Sequence, residues 1–223
     1  MLISSQENSR LPKEYREVLW LRGTGTQYCR LSYAPRIYPS DSKYSSIRGD
    51  ITVLDINSSE LAIMADDVYG GTVNGHTRFG IDVASSNITF DYGFQPANKY
   101  KSYSLSGYGT APLDIHYELN TGSPRNIMVN ENTYNLSAYD VENMSYFNAY
   151  LIGGFYNNLT DITIRNNNTL IKAFSIYQDG ELVSDIIPCY RKSDNKAGFY
   201  ETGSDTFLVN LGTGSDWLIG PNV

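Results

Sequence analysis

Asp179-Gly180 constrains the fold more tightly than any other pair of residues in the chain. A two-residue type I′ turn needs positive φ at both central positions, and Asp-Gly adopts it at little cost. The dipeptide joins Ile171-Lys172-Ala173-Phe174-Ser175-Ile176-Tyr177 to Leu182-Val183-Ser184-Asp185-Ile186-Ile187, two runs of strand length rich in β-formers. Residues 171–187 are therefore predicted to form an antiparallel hairpin. Pro188 has no N–H to give a ladder and is predicted to stop the pairing there. Ser193-Asp194-Asn195-Lys196 then reads as a polar turn before the apolar segment Ala197-Gly198-Phe199-Tyr200.

The rest of the chain repeats strand and turn at intervals of roughly a dozen residues, the rhythm of an antiparallel sandwich. Glu17–Leu21 reads as the first strand, and Gly23-Thr24-Gly25-Thr26 as a bend before Gln27–Leu31. A similar bend, Gly212-Thr213-Gly214-Ser215, precedes Trp217-Leu218-Ile219, as paired terminal strands would show. Residues 34–46 read as loop. Arg48-Gly49-Asp50 stands before the strand Ile51–Ile56; integrins read this tripeptide at loop tips, and without supporting context it is a chance match. Further strands are expected at Leu61–Met64, Thr77–Val83, Asn87–Tyr92, Tyr100–Leu105, Leu113–Leu119, Asn126–Val129, Ala149–Gly154 and Leu159–Arg165. Ser137–Tyr146 is the one stretch suited to a short helix.

At 223 residues with 41% hydrophobic content the chain suits one large all-β domain over residues 11–223, preceded by a polar arm over residues 1–10. The arm lacks an apolar signal core and no run approaches the ~20 apolar residues that span a bilayer, so synthesis in a cytoplasm without secretion or anchoring is expected. A net charge of −7, with 17 Lys+Arg against 24 Asp+Glu, repels phosphate backbones and anionic lipids; nucleic acid and membrane partners are not expected. Neutral glycans, cations and proteins remain as partners. The 19 tyrosines suit both sugar stacking and ordinary strands.

Few residues point to chemistry. Asp114, His116 and Glu118 alternate along one strand and so share a sheet face, where they bind a ligand or simply form a solvated face over a core of Leu113, Ile115, Tyr117 and Leu119. Asp66, Asp67 and Asp82 supply oxygen ligands of the kind a calcium ion takes; acidic loop residues are more often merely solvated, so no obligatory cofactor is expected and Ca²⁺ is the one possible ion. Tyr92, Tyr100 and Tyr103, with Phe94 and Tyr108, form an aromatic-rich stretch that would offer a sugar platform if the rings shared one face; their mixed parities across a loop allow about two of them to do so. A jelly-roll glucanase needs two carboxylates on one strand in a Glu-x-Asp-x-x-Glu run, which is absent. No nucleophile elbow, phosphate loop or zinc spacing occurs, and His76 and His116 are the only histidines. No enzymatic activity is expected.

The two ends of the chain carry a paired motif. Leu11-Pro12, Tyr15 and Glu17-Val18 are followed by Thr24-Gly25-Thr26-Gln27-Tyr28. The closing half has Asp179-Gly180, Leu182-Val183, Asp185, Pro188-Cys189 and Arg191, then Gly198, Tyr200, Phe207, Asn210, Gly212-Thr213-Gly214 and Gly220-Pro221. Together these resemble the concanavalin A-like (laminin G/lectin-like) jelly-roll modules of bacteriophage tail and virion proteins and of phage-derived regions of gut bacteria. The resemblance covers about a third of the chain and departs from the family pattern at Cys29-Arg30-Leu31-Ser32, where an Ile-Asp-Thr-Gly-like run is usual. It implies a two-sheet β-sandwich and a virion setting, with other virion proteins, homo-oligomeric assembly and cell-surface or mucus glycans as partners, and it hands over no active site. It also implies adjacent terminal strands, which would bring Cys29 and Cys189 within reach of one another; a protein folding in cytosol keeps such thiols reduced and buried. The expectation is a non-catalytic virion protein with a lectin-like surface. The alternatives are a glycoside hydrolase-like enzyme whose acid pair is assembled from separate strands, and a purely structural decoration or fibre subunit.

Overall fold

The computed structural model describes residues 10–33, 36–37, 44–68, 76–94, 100–122, 125–136, 145–146, 149–156 and 161–223. For strand residues 36–37, 66–68, 76–77, 93–94 and 145–146 the description is of the backbone alone. In chain order the strands are β1 (Tyr15–Glu17), β2 (Leu21–Thr24), β3 (Cys29–Arg30), β4 (Arg36–Ile37), β5 (Ser45–Val53), β6 (Glu60–Val68) and β7 (His76–Ala84). There follow β8 (Asn87–Phe94), β9 (Tyr100–Ser104), a 3-10 turn (Leu105–Tyr108), β10 (Leu113–Asn120), β11 (Asn126–Val129), β12 (Asn132–Asn135) and β13 (Ser145–Tyr146). The last are β14 (Ala149–Ile152), β15 (Gly154–Tyr156), β16 (Ile162–Ile164), β17 (Asn166–Gln178), β18 (Glu181–Arg191), β19 (Lys196–Glu201), β20 (Thr206–Val209) and β21 (Leu218–Ile219). No α-helix occurs among the described residues, so the class is all-β.

The predicted hairpin is β17–β18. Asp179 and Gly180 take φ of 55° and 84°, the two positive values a type I′ turn requires, and Gln178 pairs with Glu181 across them. Pro188 does not end the strand as expected. Pairing with β17 stops at Phe174–Ile186, and β18 then continues through Pro188 between β19 and β1, where Cys189 pairs with Glu17. The proline therefore marks a change of partner, which its carbonyl serves by accepting from Val18 N–H at 3.0 Å.

Strand β17 organises the sheet. One edge carries β5, which continues to β10, β11 and β12; the other carries β2 and β18, each along part of its length. At its start Asn166 and Asn167 pair with Leu61 and Glu60 of β6, and from β6 a second limb runs through β7 and β8 to β9 on one side and to β14 and β3 on the other. The result is a curled, antiparallel sheet whose two limbs face one core. Ile47, Ile51, Ile115, Tyr117 and Leu119 line it from the β5–β10 limb, and Leu61, Ile63, Phe79, Ile81, Phe90 and Tyr92 from the β6–β8 limb. Full burial of a side chain of this kind stabilises by about 1.5–3 kcal/mol, so this shared core holds the limbs together.

The ends of the chain pack together. Leu21–Ile219 and Arg22–Leu218 pair β2 with β21, and the two Gly-Thr-Gly bends lie against each other: Gln27 Nε2 donates to the Ser215 carbonyl at 2.8 Å, and Asn210 Oδ1 accepts from Tyr28 N–H at 3.2 Å. Leu11, Ile187, Cys189 and Tyr200 make a small second core, with Tyr15 and Phe207 against it. Cys189 thus sits in this outer cluster while Cys29 belongs to the main one, and both are free thiols.

Several local expectations shift. The first strand is two short pieces, β1 and β2, broken at Leu19–Trp20. β5 begins at Ser45, six residues earlier than expected, so Arg48-Gly49-Asp50 lies inside a strand with β10 on one side and β17 on the other. It is not a loop tip. β5 ends at Val53 and Asp55 enters a turn, accepting from Asn57 N–H and Ser58 Oγ. The predicted helix Ser137–Tyr146 lies outside the described residues except for Ser145–Tyr146, which are strand.

Candidate functional site

The outward face of β10, β5 and β17 gathers the polar residues that the sequence put in one row. Alternation along β10 turns Leu113, Ile115, Tyr117 and Leu119 into the core and leaves Asp114, His116 and Glu118 on the other side. Register with β5 then sets Asp114 opposite Thr52, His116 opposite Asp50 and Glu118 opposite Arg48. His116 Nδ1 lies 3.0 Å from Asp50 Oδ1. Asp114 Oδ1 accepts from Thr52 Oγ1 at 2.5 Å and from Lys172 Nζ of β17 at 2.8 Å. Those two hydrogen bonds hold the Asp114 carboxyl below its usual range and keep it ionised. Arg48 stacks its guanidinium 4.4 Å above the Tyr177 ring.

This face keeps hydrogen-bonding capacity in reserve. His116 uses Nδ1 on Asp50, which leaves Nε2 for a further partner. Asp114 uses one carboxylate oxygen and retains the other. Positions two apart on a strand are about 6.6–6.8 Å apart, so the row presents polar groups at a fixed pitch. Sequence reasoning located Asp114, His116 and Glu118 by parity alone; it missed Asp50, Thr52, Lys172 and Arg48, which only register reveals.

The aromatic residues divide between the two faces, as their mixed parities require. Tyr92 is 1% exposed and belongs to the main core, because its parity matches Phe90 and Ile88. Tyr103 pairs with Ile88 and leans inward, whereas Tyr100 pairs with Asp91 and is 43% exposed. Tyr92, Tyr100 and Tyr103 therefore share no open face. Tyr103 instead meets Tyr134 of β12, ring centroids 4.2 Å apart at 30°, and Tyr108 reaches the same place with its hydroxyl 3.2 Å from that of Tyr134. Burial pushes the Tyr103 hydroxyl up to about 12. Strands β9 and β12 are the outer strands of the two limbs, so these three tyrosines close the side of the curl that has no shared strand.

Asp82 stands apart from this chemistry. Its Oδ2 accepts from Arg165 at 2.5 Å while Oδ1 is buried with no partner among the described residues, and burial raises its carboxyl above the usual range. Arg78 and Arg165 lie over one ring, Phe155, at 4.6 and 5.2 Å. In the β6–β7 ladder Asp66 is opposite Arg78 and Asp67 opposite Thr77, but their side chains lie outside the described residues. Among the described residues no group of three His, Cys, Asp or Glu side chains is arranged to hold a metal. Glu201, fully buried, accepts from the backbone N–H groups of Ser32 and Tyr33 at 2.8 and 3.1 Å and from Ser204 Oγ at 2.6 Å, a role in anchoring the chain after β3. No protein-family model matches the chain, and no curated protein matches it significantly.

Proposed function

We propose that the chain is a non-catalytic component of a bacteriophage particle, folded as a concanavalin A-like jelly roll, that joins other virion proteins and presents a lectin-like, glycan-binding surface. The observation that carries this reading is the outward row Asp114–His116–Glu118, stiffened by Asp50, Thr52 and Lys172 and still holding acceptors toward solvent. Fixed acceptors at strand pitch suit the hydroxyl array of a sugar, and prior fixation reduces the ordering cost of binding. The packing of Leu11, Tyr15, Cys189, Tyr200 and Phe207 into one unit supports the family likeness, since these residues belong to the two end motifs. Repetition of the subunit on a particle would turn weak single contacts into avidity.

The same face argues against glycosidase chemistry. A glycosidase needs one carboxyl kept protonated as the acid, and Asp114 is held ionised by Lys172 and Thr52. The observation that bears on the enzymatic alternative is Asp82, whose carboxyl is raised above the usual range by burial while Arg165 beside it opposes the shift. Calcium stays part of the proposal at Asp66 and Asp67 alone, because Asp82 stands opposite Ala62, four strand positions from Asp66.

The test is a glycan array probed with the wild-type protein and with a His116→Ala/Glu118→Gln variant. Binding by the wild type that falls at least tenfold in the variant is expected. A wild-type protein that binds no glycan, or a variant that binds as well as the wild type, would remove the outward row as the site.

A further inference from the structure

The seam between β9 and β12 carries a cluster that the outward face does not use. Tyr103 of β9, Tyr108 of the 3-10 turn and Tyr134 of β12 come from three elements and converge there, with Phe90 edge-on behind Tyr103 at 6.3 Å. Packing alone would be served by rings. Here two hydroxyls are also paired, 3.2 Å apart, at half-buried positions. In such a pair one hydroxyl donates to the other, so one O–H and several lone pairs are left for a third group. Ser102 and Ser104 alternate with Tyr103 along β9 and so face the other way, which leaves the seam to the three rings and the two paired hydroxyls. Flat apolar rings with polar tips match the alternating C–H faces and hydroxyls of a neutral sugar.

We infer that the Tyr103–Tyr108–Tyr134 seam is a second carbohydrate contact, taking a neutral sugar ring beside the aromatic edge; the inference rests on the glycan-binding reading above. Two contacts on one subunit, on different faces of the β5–β10–β12 limb, would let a branched or extended glycan be held at both.

A Tyr108→Phe/Tyr134→Phe variant keeps the rings and removes the paired hydroxyls. Titration of the strongest neutral oligosaccharide from the array is expected to show roughly tenfold weaker binding in this variant, the loss of about one net hydrogen bond. The midpoint of thermal unfolding should stay close to that of the wild type. In wild-type protein with ¹³C-labelled tyrosine rings, the same sugar should shift ring resonances assigned to Tyr108 and Tyr134, a readout independent of variant stability. Wild-type affinity in the double variant with unmoved ring resonances would overturn the seam contact and leave the outward row standing. A wild-type protein that binds no oligosaccharide would overturn both.

Discussion

Replacing Gly49 with alanine should destabilise the protein, although the residue is the centre of an Arg-Gly-Asp tripeptide that resembles a display motif. Gly49 pairs with Tyr117 on one side and Phe174 on the other, in the middle of three hydrogen-bonded strands. A methyl group there would meet Phe174 Cβ well inside van der Waals contact, with Tyr117 Oη at 2.9 Å and Phe174 Cα at 3.1 Å. Both neighbours are buried, so neither can swing into solvent. Overpacking a core typically costs 1–3 kcal/mol, and the backbone contact places this site toward the upper end. Alanine returns about 0.5–1 kcal/mol through its lower unfolded-state entropy. The net effect is about 2 kcal/mol. For a chain of this length that lowers the unfolding midpoint by about 4–8 °C. Thermal unfolding followed by near-ultraviolet circular dichroism, with a urea titration beside it, reads the effect. Gly107→Ala is the control, because nothing lies within 4 Å of the added methyl, and it should change stability by no more than about 0.5 kcal/mol. If Gly49→Ala unfolded at the wild-type temperature, the ladder placing Gly49 between Tyr117 and Phe174 would be wrong.

Three smaller perturbations probe other parts of the structure. Arg191 holds the Asp194 carboxyl at about 2, so Arg191→Ala should return it toward about 3.9 in a carboxyl NMR titration. Because the folded value is depressed, the contribution of this pair is complete above the unfolded pKa and disappears as pH falls from about 4 to about 2. Burial raises both thiols, Cys189 to about 12, so a thiol reagent at mildly alkaline pH should label neither cysteine in the native protein and both in denaturant; rapid native labelling would show that the clusters around them are open. Gly180→Ala should cost about 1–2 kcal/mol, because φ is +84° and the methyl would come within 2.8 Å of Tyr44 Oη; equal stability would argue against the type I′ turn.

What the sequence made legible was local. Asp179-Gly180 announced its hairpin because turn chemistry is contained in two residues. Asp114, His116 and Glu118 fell on one face because parity holds along a single strand. Across residues 95–99 the parities of Tyr92, Phe94, Tyr100 and Tyr103 are mixed, so the sequence left open which rings share a face. Ladder register was out of reach: Asp50 meets His116, and Lys172 meets Asp114, over separations of 66 and 58 residues, with no short-range signal linking them. Tyr134 was invisible for the same reason, since it joins Tyr103 only when two outer strands close the curl. The extended course of Arg48-Gly49-Asp50 follows from two neighbouring strands rather than from the tripeptide. Pro188 read as a stop because its missing N–H ends one ladder, while the partner waiting on the other side, Glu17 with Val18, is supplied from the far end of the chain.

The most direct test of a non-catalytic, glycan-binding protein is calorimetric titration with the best array oligosaccharide, followed by mass spectrometry of the recovered sugar. Saturable binding with the sugar recovered intact after prolonged incubation is the expected result. A folded protein that shows no heat of binding, or one that returns shortened sugar, would contradict it.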